Sequence, residues 1–220
     1  MPARVRPHDL RRFAKWLSPS ERAHLRRLAS ARLRREYLIA HAFCRATLAK
    51  YAGVGPALIW FSAGAGGKPA IVAPKHCDTL RFNLTHTNGL VAVVVSRAGD
   101  VGIDAEDVTR RVDVDQIVGH FFSRRAQAQL AGLSVRRRVR RFFAQWVLRE
   151  AYLKARGKGI AGASERFTIE LDDRGRPIPI HAWQLFVHPL SDTHIVGVAV
   201  RPRRRGESIV VRWLPVTDFI

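Results

Sequence analysis

Apolar positions between Ser20 and Lys50 recur at helical spacing, with Leu25, Leu28, Leu33, Leu38, Ala42 and Leu48 forming one stripe. The pattern predicts one long or two short helices, with Ser20 as a cap and Gly53, Gly55 and Pro56 as the stop. A short strand is expected over Ala57 to Phe61, then a glycine-rich loop from Gly64 to Gly67. Strands follow over Arg81 to Thr85 and Leu90 to Val95, joined by Asn88-Gly89, and a turn at Gly99-Asp100 leads into a strand over Val101 to Glu106.

The order then repeats. Helices are expected over Asp115 to Leu130 and Arg140 to Ala155, and strands over Phe167 to Leu171, Ala182 to Val187 and Ile195 to Val200. Gly175-Arg176-Pro177 follows a strand much as Gly67-Lys68-Pro69 does in the first half. The reading is an α+β fold: a pseudo-twofold pair of similar α/β halves, each with helices packed on a small, mainly antiparallel sheet. Residues 1–102 form the N-terminal half and 103–220 the C-terminal half.

Composition narrows the class. A chain of 220 residues, 47% of them hydrophobic, buries a substantial core and is not a disordered segment. No apolar run approaches the ~20 residues of a membrane span, and Met1 to Arg12 lacks a signal-peptide core. Cys44 and Cys77 show neither metal-ligand nor redox spacing, so a cytoplasmic location is expected. The formal charge of +20 points to anionic partners. Runs such as Arg136-Arg137-Arg138, Arg140-Arg141 and Arg203-Arg204-Arg205 come without an interleaved aromatic platform, so no specific nucleic acid is expected, although a basic nucleic-acid-binding protein remains the alternative class.

Two segments carry candidate chemistry. In Gly102-Ile103-Asp104-Ala105-Glu106 the two carboxylates are two apart on a strand and share a face. In the helix ending at Gly157, Glu150 and Lys154 are four apart and also share a face. Alone, the second pair reads as a surface ion pair. Together, three carboxylates and a lysine suit a hard cation bound to a diphosphate. Trp146, one turn before Glu150, reads as core packing, and Asp107 as structural.

These residues resemble the 4'-phosphopantetheinyl transferases of the surfactin-synthetase type. That family's strand signature is matched by Gly102 to Glu106, and its Trp-x-x-Lys-Glu-Ala-x-x-Lys helix by Trp146 to Lys154, followed by Gly157-Lys158-Gly159; Arg149 stands where the family has lysine. Upstream, Gly67-Lys68-Pro69 and Phe82-Asn83-Leu84-Thr85-His86-Thr87 match two further motifs in the right order.

The resemblance implies Mg²⁺-dependent transfer of the phosphopantetheine arm of coenzyme A to a serine of an apo acyl, peptidyl or polyketide carrier protein, releasing 3',5'-ADP. Mn²⁺ accepts the same oxygen ligands. It implies a monomer with coenzyme A in the cleft between the halves. Asp104, Glu106 and Glu150 are implied as metal ligands, and Glu150 and Lys154 as catalytic. Lys68 and Pro69 are implied on the phosphate or adenine side, and His86 with Thr85 at the 3'-phosphate. Arg34 or Arg35 of the first helix is implied at the same phosphate, since Glu36 occupies the position where an arginine often stands. A catalytically silent coenzyme A-binding homologue is the nearer alternative, against which the intact Asp104, Glu106, Glu150 and Lys154 argue.

Overall fold

The computed structural model describes residues 5–64, 67–157, 168–204 and 206–214. Three helices open the chain: α1 (Pro7–Trp16), α2 (Pro19–Arg27) and α3 (Ala31–Ala52). Of the one long or two short helices expected over Ser20 to Lys50, the structure has two, and Ser20 lies inside α2 rather than at its cap. Ser18 caps α2 by accepting from the Glu21 N–H, Ser30 caps α3 by accepting from the Leu33 N–H, and Gly53 ends α3 with a positive φ of 66°.

A buried ion pair welds these helices together. Arg45 of α3, 1% exposed, donates to Glu21 of α2 at 2.7 Å, and to the Ile59 carbonyl at 2.6 Å. That second bond fixes the entry to a hairpin of β1 (Trp60–Ala63) and β2 (Pro69–Ala73), where one strand was expected over Ala57 to Phe61; Pro56–Leu58 is a helical turn instead. α3 packs Cys44, Leu48 and Ala49 against Ile59, Ile71, Leu80 and Phe82.

β3 (Arg81–Thr87) and β4 (Leu90–Ser96) form the expected hairpin, with Gly89 at φ 75° in its turn. β5 (Gly99–Asp107) pairs with β7 (His194–Pro202), which pairs with β6 (Gln184–Pro189), all antiparallel. The boundary expected at residue 102 therefore falls inside β5, a strand of the C-terminal sheet. The strand predicted over Phe167 to Leu171 is reduced, in its described part, to an isolated bridge between Leu171 and Pro177; Phe167 lies outside the described residues.

The single helix predicted over Asp115 to Leu130 is two, α4 (Val114–Phe121) and α5 (Arg124–Ala131), because extended Phe122 breaks it and Ser123 caps the second. Helix α6 (Val135–Ala155) starts five residues before the expected Arg140. Its arginine-rich first turns oppose the helix dipole, but Arg138 is paired with Asp115 and Arg141 donates to the Leu171 and Asp172 carbonyls. Phe142 and Phe143 then anchor it in a core with Phe122, Ala126 and Leu130.

α6 lies across β5 and β7. A Cβ on Gly102 would sit 2.1 Å from the Ala151 carbonyl oxygen, so only glycine allows the strand to approach the helix this closely. Both cysteines are buried and free, and among the described residues no helix is long and apolar enough to cross a membrane.

Candidate active site

The motif residues converge where β3, β5 and α6 meet. β5 turns Val101, Ile103 and Ala105 into the sheet core with Val196, Val198 and Val200, so the alternate residues Gly102, Asp104 and Glu106 face α6. Asn83 of β3 accepts from the Ile103 N–H at 3.0 Å and latches the β3–β4 hairpin to β5. Two residues on, Thr85 donates to Asp104 Oδ1 at 3.3 Å. From the last turn of α6, Lys154 Nζ donates to the same Oδ1 at 2.6 Å and to Thr85 Oγ1 at 3.2 Å. Three separate motifs therefore meet on one carboxylate.

Each carboxylate has a cation. Asp104 has Lys154, Glu106 accepts from Arg110 at 3.0 Å, and Glu150 accepts from Arg149 at 2.5 Å. Burial raises the pKa of all three; Lys154, Arg110 and Arg149 pull the other way, while the charge of Asp104 adds to the upward push on Glu106 and Glu150. The two glutamates thus sense Asp104, and a cation among them would relieve the repulsion. Three carboxylates are hard oxygen donors that fit Mg²⁺. Among the described residues, however, no three such side chains are drawn together into a ready metal-binding group.

The coenzyme-side candidates sit differently from one another. Lys68 Nζ donates to the carbonyls of Val101 (2.9 Å) and Ala155 (3.0 Å), clipping the β1–β2 hairpin to β5 and the end of α6. Its half-buried ammonium has a pKa lowered chiefly by desolvation. Pro69 is exposed at the start of β2. His86 is exposed on β3, on the face opposite Thr85. Arg34 donates to the Leu28 carbonyl and Arg35 to the Val5 carbonyl, both at 2.7 Å, so both brace the N-terminal helices; Glu36 pairs with Arg32. Lys158 and Gly159 lie outside the described residues.

Two residues of the site had no role assigned from the sequence: Arg110, and Arg149, which stands where the family has lysine. Arg110 is four residues beyond Glu106, a spacing visible in the sequence but not assigned. Arg149 has its guanidinium 5.1 Å from the Phe121 ring centroid and 5.6 Å from that of Trp146, and the same planar group holds Glu150. Trp146 packs on Phe121 and Phe142, as expected of a core residue. Asp107 faces away and accepts from the Thr109 N–H and hydroxyl, a structural role.

Comparison with known proteins matches residues 100–199, the span from β5 to β7, to the 4'-phosphopantetheinyl transferase superfamily. Over 194 residues, covering 87% of this chain and 81% of the relative, the chain is 30% identical to the 4'-phosphopantetheinyl transferase HetI of Nostoc sp.. It is 26% identical over 165 residues to the 4'-phosphopantetheinyl transferase Sfp of Bacillus subtilis, covering 75% of this chain and 71% of Sfp. A shorter match, 32% over 94 residues and 43% of this chain, is to the transferase AcpT of Salmonella typhi, 47% of which it covers. With its strand and helix motifs brought together on Asp104 and this extent of likeness, the chain belongs to the 4'-phosphopantetheinyl transferase superfamily.

Proposed function

We infer that this chain transfers the 4'-phosphopantetheine arm of coenzyme A to the serine hydroxyl of an apo acyl, peptidyl or polyketide carrier protein. The observation that carries the reading is the contact of Lys154 and Thr85 with Asp104, which joins three motifs distant in sequence. The coenzyme lies in the cleft between the β1–β4 side and the β5–β7 side, with its diphosphate at Lys154.

Asp104, Glu106 and Glu150 would hold Mg²⁺ in this reading, and Mn²⁺ would suit the same oxygens. When bound, the ion neutralises charge on the diphosphate oxygens. Lys154 is the protein's own cation there: it leaves Asp104 for a non-bridging oxygen and stabilises charge as it develops. Glu150, half-buried with a raised pKa, is the carboxylate suited to take the serine proton. The serine oxygen forms a bond to the β-phosphorus, the bond from that phosphorus to the bridging oxygen breaks, and 3',5'-ADP leaves with the electron pair.

The test is incubation with coenzyme A, Mg²⁺ and a panel of apo carrier proteins, reading the intact mass of each carrier. A phosphopantetheine-sized gain, matched by 3',5'-ADP release and abolished by chelator, is expected. No gain on any carrier, with coenzyme A still bound, would overturn the transferase reading in favour of a silent coenzyme A-binding protein.

A further inference from the structure

Gly197 lies in β7 directly opposite Asp104 in the strand register. Glycine weakens a strand interior, so its presence at the centre of the sheet calls for a cause. The cause is α6. A Cβ at Gly197 would stand 2.7 Å from the carbonyl carbon and oxygen of Val147 and 2.8 Å from the Leu148 nitrogen. All three are helix backbone, with no side chain to swing aside. Ordinary contact begins near 3.4 Å, so moving from 2.7 to 3.4 Å requires a shift of at least 0.7 Å.

The shift would fall where the site is least tolerant. Val147 and Leu148 are in the turn before Glu150, and the helix continues to Lys154, whose ammonium reaches Asp104 at 2.6 Å. Farther along, Ala151 and Ala155 rest on Gly102 and Ala199, so the helix is seated on small residues at both points. Lifting it at Gly197 alone tilts it, and carries Glu150 away from the Asp104–Glu106 face.

We propose that Gly197 is a positioning residue of the active site: it sets the depth at which α6 beds on the sheet, and hence the reach of Glu150 and Lys154 to Asp104. It acts only through α6. Its kinetic consequence rests on the transferase reading above; its effect on coenzyme A binding does not require transfer.

The experiment compares Gly197→Ala with Val198→Ala. Val198 is the next residue, buried on the opposite face, so its truncation destabilises the sheet without wedging α6. Each variant is assayed at the same interval below its own Tm, for kcat, for KM toward the carrier protein, and for coenzyme A affinity by calorimetry without added metal. Gly197→Ala is expected to lose about 10- to 100-fold in kcat, as an ångström-scale misplacement does, with carrier KM within about threefold of wild type. Its coenzyme A affinity is expected to fall severalfold, while Val198→Ala stays within about threefold on every measure. Equal losses in the two variants, or a Gly197→Ala enzyme with kcat and coenzyme A affinity intact, would overturn the proposal.

Should Gly197→Ala fail to fold, Ala199→Ser places a smaller wedge beneath Ala151 and Ala155 of the same helix and is judged by the same measures. If the wild type binds coenzyme A without transferring it, the function fails and the affinity comparison still decides the role of Gly197. Absence of coenzyme A binding by the wild type would refute both.

Discussion

Replacing Glu21 by glutamine removes one charge from the ion pair that joins α2 to α3. In the wild type, Glu21 accepts from Arg45 Nε (2.9 Å) and Nη2 (2.7 Å), from the Ser18 N–H (2.7 Å) and from His41 Nδ1 (3.0 Å). Burial on its own raises the pKa of the carboxylate, but the hydrogen bonds from His41, Arg45 and Ser18 outweigh it and hold the value at about 2, against 4.5 for an ordinary glutamate. At 1.36 kcal/mol per unit, that gap is about 3 kcal/mol of stability. Because the folded-state value is depressed, this contribution is complete above pH 4.5 and is lost as pH falls toward 2. Glu21→Gln also leaves the Arg45 guanidinium, 1% exposed, without its counter-charge, a change that costs about 3–5 kcal/mol in buried pairs. Urea unfolding from pH 7 down to pH 3 is the assay. The variant is expected to be about 3 kcal/mol less stable at pH 7, with the difference narrowing as pH drops below 4.5. Parallel stability curves, or a difference at pH 7 below about 1 kcal/mol, would refute the linkage argument.

Asp104→Ala and Glu150→Gln should each abolish measurable transfer while the far-ultraviolet spectrum stays native; full activity in either purified variant would sink the assignment of these carboxylates. Burial, with the charge of Asp104, raises the Glu150 pKa, so the folded state binds that proton more tightly than the unfolded chain. The contribution is present below the unfolded value and lost as pH rises through the folded one; because the rise is net of the downward pull of the buried Arg149, Glu150→Gln should melt higher than wild type at pH 8. A lower Tm at that pH would contradict this sign. Millimolar Mg²⁺ should raise the wild-type Tm, by about 1.4 kcal/mol of stability at ten times its dissociation constant, and leave Asp104→Ala unmoved. A wild-type Tm indifferent to Mg²⁺ would remove the cation from the site.

What the sequence made legible was whatever lies within one element. The two-residue spacing of Asp104 and Glu106 and the four-residue spacing of Glu150 and Lys154 follow from strand and helix periodicity, and both hold. The start of α6 was missed because the arginines from Arg136 to Arg141 oppose the helix dipole, and what offsets them, Asp115 and the Leu171 and Asp172 carbonyls, is distant in sequence. The α4–α5 break and the β1–β2 hairpin were hidden in the same way. Apolar spacing runs across Phe122 although its backbone is extended, and the strand pairing of Ala63 with Pro69 spans the glycine-rich loop.

Lys68 shows why contacts between elements resist this kind of reading. Its acceptors, Val101 and Ala155, are 33 and 87 residues away, and nothing at Gly67-Lys68-Pro69 announces either. The same holds for Arg149. Lysine and arginine are equally cationic in sequence, yet only a planar guanidinium can lie over Phe121 and Trp146 and still hold Glu150. The donors of the site are thus written locally, whereas their reach is set by what separates α6 from the sheet. That spacing rests on residues with little or no side chain: Gly102, Gly197 and Ala199 on the strands, Ala151 and Ala155 on the helix. A carboxylate on a strand and a lysine on a helix meet at 2.6 Å because these five positions carry nothing larger than a methyl group.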